Sequence, residues 1–295
     1  MATREKRSLR SSSRRPEGAR LTSGYKTVNS IYWNRNFHRD VFSLFTHLVE
    51  VIGGLSLLAS QKKKLGLTPE NFIPKAFAWW MAICGKVGVK SVSDMLWTKF
   101  PGVCPYCHQS PHDPDECTEK KARLSGVDWE QLEHLGRANA VHRPRSLGEW
   151  QRMYSKIFPA QQTEDYGPSF GRLAEEFGEL AESIRIFPAE PGYFLSEAAD
   201  VFAWLMHIQN IVDQKAHTPK AQRGERLETL VCKAYPDQCI DCGNSVCNCP
   251  PIHDSTIGRI AHEVPSRRGS FGEEGFFFMT PEKARIVFQL GRSLK

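Results

Sequence analysis

The apolar residues in the second half of the chain recur at helical spacing. One stripe steps by four, three and four positions and consists of Leu173, Phe177, Leu180 and Ile184. A second stripe with the same steps predicts a helix that starts near Leu195, and it consists of Val201, Leu205, Ile208 and Val212. Pro188, Pro191 and Gly192 predict a break between the two helices. Together with a helix predicted over residues 147–158, the pattern indicates an all-α fold in which the striped helices form an antiparallel hairpin.

A motif of this hairpin also occurs earlier in the chain. FAWLMHI begins at Phe202, FAWWMAI begins at Phe77, and each is followed by a CxxC pair. When the CxxC pairs are aligned, His112 and Cys247 each fall five residues after the second cysteine of their pair. We interpret this order of shared features as an internal duplication. The two units are predicted over residues 25–135 and 140–253.

Four acidic residues lie on the predicted hairpin in two pairs. Glu176 and Glu179 share one face of the first helix, and Glu197 and Asp200 share one face of the second. None of the residues four positions further along is a cation, so ion pairs within the helices do not neutralise them. Carboxylate oxygens favour hard divalent cations, and the pattern therefore predicts a Mg²⁺ site, with Mn²⁺ as the second choice. The alternative is an ordinary surface helix rich in Glu.

The ExxE motif followed by ExxD on the next helix resembles the signature of the MazG-like all-α nucleoside triphosphate pyrophosphohydrolases. The flanking EWQ (149–151) and AADVFAWL (198–205) are similar to the family pattern, and the ending from Tyr235 to Pro250 is similar to the tail of some members. The resemblance covers about residues 147–250. It implies Mg²⁺-dependent hydrolysis of a nucleoside triphosphate to a monophosphate and pyrophosphate. No GxxxxGK[ST] loop is present, so a P-loop mechanism is not supported.

The resemblance implies a catalytic role for the metal ligand Glu176 and roles for four residues besides the metal ligands. Glu176 holds metal, and Glu175 orients the attacking water or acts as its base, with an ordinary surface Glu as the alternative. Lys156 and Arg172 are candidates to hold phosphate oxygens, although either is also typical of a solvated surface. Trp150 is a candidate to stack on the base, with core packing as the alternative.

The first unit departs from the motif where the chemistry would lie. The alignment places His47 opposite Glu176 and Glu50 opposite Glu179, whereas Phe72 and Lys75 replace the acids of the second pair. One carboxylate and a lysine do not form a Mg²⁺ site. We expect this unit to have lost catalysis and to serve as an in-chain partner, forming a pseudo-dimer with the intact unit. A further hypothesis is that Lys75 or His47 of this unit binds the substrate phosphates.

Seven of the nine cysteines fall in two clusters that predict zinc knuckles rather than disulfides. The second cluster supplies four thiolates: Cys239, Cys242, Cys247 and Cys249. The first supplies three thiolates, with His112 favoured over His108 as the fourth ligand: Cys104, Cys107 and Cys117. Because no ligand position is left open, both zinc sites are expected to be structural. A zinc-ribbon module that binds nucleic acid is the competing interpretation, and few Lys or Arg surround the second cluster.

The net charge of +6 is concentrated at the N-terminus, where residues 1–20 carry a balance of +5. We predict a basic disordered tail over residues 1–24 and expect contact with nucleic acid only through it. No apolar run reaches the length of a membrane span, and the reduced cysteines favour a cytoplasmic protein. Residues 254–295 form a C-terminal extension with an aromatic run at Phe276 to Phe278 and a predicted helix after Thr280.

The sequence therefore predicts a tandem MazG-like protein with one degenerate and one intact unit, each followed by a zinc knuckle. The expected partner is a nucleoside triphosphate substrate, and the expected cofactors are Mg²⁺ or Mn²⁺ and structural Zn²⁺. The alternative function is a catalytically silent nucleotide-sensing or scaffold subunit, with defence against phage as one setting. Whether the pseudo-dimer pairs again as a homo-oligomer is left open.

Overall fold

The computed structural model of the chain describes residues 21–60, 72–117, 126–160, 166–219, 222–239 and 241–249. These residues fold mainly into α-helices joined by turns, so the all-α prediction is confirmed. The helices are α1 (Leu21–Phe37), α2 (Val41–Ser60), α3 (Ile73–Val87), α4 (Val92–Lys99), α5 (Trp129–Ala138), α6 (Leu147–Ile157), α7 (Tyr166–Ile186), α8 (Pro191–Lys215) and α9 (Arg223–Ala234).

Two predicted regions lie outside the described residues. They are residues 1–20 of the predicted basic tail and the C-terminal extension at 254–295. The tail prediction was wrong for residues 21–24, because α1 already begins at Leu21. Within the described ranges, no helix is long and apolar enough to cross a membrane.

Helices α7 and α8 form the predicted hairpin, and both apolar stripes are buried in it. The start of α8 differs from the prediction, because the helix begins at Pro191 and not near Leu195. Proline has no backbone N–H, and the first N–H groups of a helix have no partner within the helix anyway. Pro191 therefore begins the helix, and the break predicted there is confined to residues 187–190.

The helices pack in a reciprocal pattern between a first half (α1–α4) and a second half (α6–α9). Within the halves, α2 pairs with α3, α7 pairs with α8, α1 packs on α3, and α6 packs on α8. Between the halves, α2 contacts α7 and α3 contacts α8. The last helix of each half crosses to the other, since α4 contacts α8 and α9 contacts α3. Exchanging the two halves therefore reproduces these contacts.

The repeated FAW motif lies at the contact between the halves. Phe77 of α3 and Phe202 of α8 are the first residues of the two copies, and their rings meet edge to face at 5.5 Å. Beside them, Trp80 Nε1 donates a hydrogen bond of 2.8 Å to the Ala198 carbonyl. The apolar stripe of α7 also has a counterpart on α2 with the same spacing. Its residues are at most 3% exposed, and they are Leu44, Leu48, Val51 and Leu55.

Local sequence explains where α6 begins and how closely it packs. Ser146 caps the helix in a capping box with Glu149, each side chain accepting from the backbone N–H of the other. Two residues later, Gly148 meets Gly224 of α9 so closely that a Cβ on Gly148 would lie 2.6 Å from the Gly224 carbonyl oxygen. Because neither glycine has a side chain, the backbones of α6 and α9 can contact each other directly.

Candidate active site and metal centres

The hairpin brings three of the predicted acids into one cluster. Carboxylate oxygens of Glu176 and Glu179 on α7 and of Glu197 on α8 lie within 4.8 Å of one another. Successive turns of α7 supply the first two, because residues three apart share a helix face. Glu197 is only 6% exposed, which is unusual for a carboxylate. We call these three residues the glutamate cluster.

Two buried oxygens of the glutamate cluster lack a hydrogen-bond partner. Oε2 of Glu176 and Oε2 of Glu197 are buried without a hydrogen-bond partner, whereas Trp204 Nε1 donates to Glu176 Oε1 at 3.1 Å. Burial, reinforced by the charge of Asp200, raises the pKa of Glu176 to about 7. Burial also raises the pKa of Glu197, to about 8. Without a cation, the cluster therefore holds protons near neutral pH, since unpaired buried charge is costly.

The donor set fits a divalent cation of the hard type. All three groups offer carboxylate oxygens, and two of those oxygens are buried and unpartnered. Mg²⁺ and Mn²⁺ prefer such oxygen ligands. The cluster could therefore hold a metal ion.

The fourth predicted ligand, Asp200, has a different partner. Its Oδ2 is ion-paired with Nζ of Lys99, the last residue of α4. Lys99 is 2% exposed and also donates to Ser196 Oγ at 2.7 Å and to the Ser196 carbonyl at 3.3 Å. Sequence reasoning missed this cation. It considered only the residues along α7 and α8, whereas Lys99 comes from the other half of the protein.

Tyr106 is a second residue that sequence reasoning missed. It lies between two cysteines of the first knuckle, close enough to the acids for their charge to act on it. Burial, followed by the charges of Asp200 and the glutamate cluster, raises the pKa of Tyr106 well above its usual value. The phenol therefore stays protonated and can act as a hydrogen-bond donor. No sequence pattern distinguished Tyr106 from an ordinary aromatic residue.

The residues assigned to substrate and water lie outside the glutamate cluster. Arg172 and Glu175 form an exposed ion pair on α7, with Nη1 to Oε2 at 2.7 Å. Lys156 is exposed on α6. Trp150 is fully buried, and its ring packs against Trp97, Tyr154 and Phe202. In this structure Trp150 is therefore a core residue, and no face of its ring is open to a base.

The corresponding positions of the first half carry no acidic cluster. His47 Nδ1 lies 3.0 Å from Glu50 Oε2, and the His47 ring stacks on Trp79 at 4.6 Å. In the repeated motif Trp79 corresponds to Trp204, so the His47–Trp79 stack stands where the second half has the Trp204–Glu176 hydrogen bond. Phe72, which aligns with Glu197, is buried at 2% exposure.

The second cysteine cluster gathers four thiols that could hold a zinc ion. The sulfurs of Cys239, Cys242, Cys247 and Cys249 lie within 4.8 Å of one another. The backbone N–H groups of Asn248 and Asn244 lower the pKa of Cys242 to about 6, so this ligand ionises readily. Four thiolates suit tetrahedral Zn²⁺ and leave no position open.

The first cluster also brings metal-ligating atoms together. Cys104, His112 and Cys117 lie within 4.8 Å of one another and could hold a zinc ion. Cys117 Sγ is 3.5 Å from Cys104 Sγ and 3.8 Å from His112 Nδ1, so His112 rather than His108 belongs to the group. Cys107, the remaining predicted ligand, is not part of this group of three, and its Sγ accepts from the backbone N–H of Asp113 at 3.4 Å.

The two knuckles share a backbone design. In the first, His108 N donates to the Cys104 carbonyl at 3.0 Å, and in the second, Gly243 N donates to the Cys239 carbonyl at 2.8 Å. His108 and Gly243 both have left-handed backbone angles, with φ of 60° and 69°. The Asp113 hydrogen bond to Cys107 likewise has a counterpart in the second knuckle, where Asn248 N donates to Cys242 Sγ at 3.5 Å.

Each knuckle docks on the first helix of the opposite half. His112 N donates to the Ile157 carbonyl of α6 at 2.8 Å, and Cys247 N donates to the Ile31 carbonyl of α1 at 2.6 Å. Ile31 and Ile157 are both buried against the cysteines. The knuckles therefore connect the two halves in a reciprocal way.

Comparison with known proteins does not add to these observations. The chain matches no family model, and no curated protein or solved structure is significantly similar to it. Any function assigned to the chain therefore rests on its motif residues and their geometry.

Proposed function

We propose that this protein is a Mg²⁺-dependent nucleoside triphosphate pyrophosphohydrolase of the MazG-like type. The observation that supports it best is the glutamate cluster, in which Glu197 is 6% exposed and keeps an unpartnered Oε2. An ordinary surface helix rich in Glu would have solvated carboxylates, and Glu197 is not solvated. A divalent cation would satisfy the buried oxygens and neutralise the cluster.

The residues in and around the cluster would have separate roles. Glu176, Glu179 and Glu197 hold the ion, which when bound neutralises a phosphate and lowers the pKa of an attacking water. Trp204 fixes the orientation of the Glu176 carboxylate through its indole N–H. Lys99 adds a buried positive charge next to the cluster, where a triphosphate would bring negative charge.

The Arg172–Glu175 ion pair supplies a way to couple substrate binding to catalysis. The pair is exposed on α7, and Glu175 precedes Glu176 directly. A phosphate that takes the guanidinium of Arg172 would release the Glu175 carboxylate to orient or deprotonate water. Exposed pairs are weak, on the order of 1 kcal/mol or less, so this exchange costs little.

We also infer that the two halves are copies of one MazG-like unit that complete a helical bundle within one chain. The reciprocal helix contacts and the meeting of Phe77 with Phe202 support this inference. The matching hydrogen bonds of the two knuckles support it further. The first half would then be a catalytically silent partner, since His47 and Phe72 replace ligands of the cluster.

The test is product analysis. Purified protein is incubated with Mg²⁺ and each of the common ribo- and deoxyribonucleoside triphosphates, and the products are separated by ion-exchange chromatography. Glu176→Gln removes a cluster ligand. Glu182→Gln is the matched control, because Glu182 is on the same helix but exposed and paired with Arg185. We expect monophosphate and pyrophosphate from the unchanged protein and from Glu182→Gln, and at least a roughly hundredfold loss for Glu176→Gln.

Two results would contradict the proposal. Turnover that survives Glu176→Gln would move the chemistry away from the glutamate cluster. No turnover with any triphosphate, while nucleotide binding is still measured, would favour the silent sensor or scaffold. The Lys99–Asp200 ion pair is the observation that favours this alternative, because it engages one of the predicted ligands.

A further inference from the structure

Lys99 is held tightly at the edge of the glutamate cluster. An ammonium group has three N–H donors, and three acceptors surround Nζ: the Asp200 carboxylate, Ser196 Oγ and the Ser196 carbonyl. The side chain of Lys99 is 3% exposed and that of Asp200 is 15% exposed, so water screens the pair only weakly. The lysine is therefore a fixed part of the site.

The ion pair divides the four predicted acids into three and one. The glutamate cluster has its oxygens within 4.8 Å of one another, whereas Asp200 directs an oxygen to Lys99. Binding of a second divalent cation at Asp200 would displace an ammonium group whose hydrogen bonds are all made. It would also place that cation next to a buried positive charge.

We propose that Lys99 replaces a second divalent cation, so that the acidic site binds one ion through the glutamate cluster while Asp200 serves as the counterion of Lys99. Lys99 is thus a positioning residue supplied by the first half to the site of the second. The position that corresponds to Lys99 before the second knuckle is Ala234, so the first half receives no such lysine in return. This proposal rests on the proposed function, because it assumes that the cluster binds a divalent cation.

Manganese binding tests the proposal without requiring turnover. The full chain, with zinc supplied to its cysteines, is titrated with Mn²⁺ by calorimetry and followed by electron paramagnetic resonance, to which Zn²⁺ is silent. We expect one Mn²⁺ per chain with the spectrum of an isolated ion. Lys99→Met should bind a second Mn²⁺ and show spin coupling between the two ions. Lys86→Met is the matched control, because Lys86 bonds to backbone carbonyls of Asn36 and Phe37, and it should still bind one.

Asp200→Asn provides a test that does not depend on folding of the Lys99 variant. If Asp200 is a counterion, its loss leaves the Lys99 charge unpaired and should lower Mn²⁺ affinity less than the loss of a ligand in Glu176→Gln, which should lower it at least tenfold. Two coupled ions in the unchanged protein would overturn the proposal, as would equal losses of affinity in Asp200→Asn and Glu176→Gln. Absence of any Mn²⁺ at the cluster would instead overturn the proposed function itself.

Discussion

The backbone N–H of Cys247 donates a hydrogen bond of 2.6 Å to the carbonyl of Ile31, in the other half of the protein. Cys247 belongs to the second cysteine cluster, which could hold a metal ion, and Ile31 is a buried residue of α1. Metal bound at the cluster would therefore stabilise the contact between the halves as well as the knuckle itself.

Cys247→Ser should lower the thermal stability of the whole chain. Structural zinc sites contribute folding free energy directly, and a loss of about 3 kcal/mol corresponds to a fall in Tm of roughly 6–12 °C for a protein of this size. Calorimetry with and without a zinc chelator measures it. Cys232→Ser is the control, because Cys232 is an exposed thiol outside both clusters, and its Tm should not change. An equal fall in both variants would argue against a metal-dependent contact.

Trp204→Phe should weaken Mg²⁺ binding. The indole N–H donates to Glu176 Oε1, and this hydrogen bond favours the ionised carboxylate that binds metal. Hydrogen bonds to charged groups contribute about 1.5–3 kcal/mol, so affinity at pH 7 should fall about tenfold or more. Trp79→Phe changes the corresponding residue of the first half, which stacks on His47, and it should leave Mg²⁺ affinity unaltered. Calorimetric titration with Mg²⁺ measures the affinity of both variants.

The metal-free protein should become less stable as the pH rises from about 5 to about 8. The pKa of Glu176 is raised to about 7 and that of Glu197 to about 8, both above the ordinary value of a glutamate. The folded state therefore binds more protons than the unfolded state in this window, and the stability this confers is full below pH 4.5 and is lost as the pH passes the folded-state pKa values.

Mg²⁺ should reverse this trend, because it binds the deprotonated cluster. The rise in Tm on adding Mg²⁺ is thus expected to grow between pH 6 and pH 8.5, and differential scanning calorimetry at several pH values measures it. Glu182→Gln should show the same profile, since Glu182 is exposed and outside the cluster. A Mg²⁺ effect that is constant across this pH range would contradict the assignment of the cluster as the binding site.

Gly148→Ala should destabilise the second half. The new Cβ would lie 2.6 Å from the carbonyl oxygen of Gly224, so α6 and α9 would have to separate, at a cost of about 1–3 kcal/mol. Gly178→Ala is the matched change on α7, where a Cβ would meet nothing within 4 Å. There the higher helix propensity of alanine should stabilise the protein by about 0.5–1 kcal/mol. Urea denaturation of the two variants should give shifts of opposite sign.

Local pattern was sufficient to predict the α7–α8 hairpin of this protein. The steps of Leu173, Phe177 and Leu180 predicted a buried helix face, because apolar residues three and four apart share one side of a helix. The short connection after α7 then brought Glu197 to Glu176 and Glu179. The knuckles follow the same logic, since their ligands are close in sequence.

Only the tertiary structure decided which residues meet from distant parts of the chain. Lys99 reaches Asp200 across 101 positions, and no periodicity connects residues on different helices at that separation. Trp150 is a second example. The sequence alone does not show whether its ring is buried or accessible, because its burial results from the packing of α6 on α8. The sequence by itself thus determined the helices of the hairpin, the acidic pairs and most members of the two cysteine groups. The addition of Lys99 to the acidic site and the docking of the knuckles depend on contacts between the halves that no local spacing encodes.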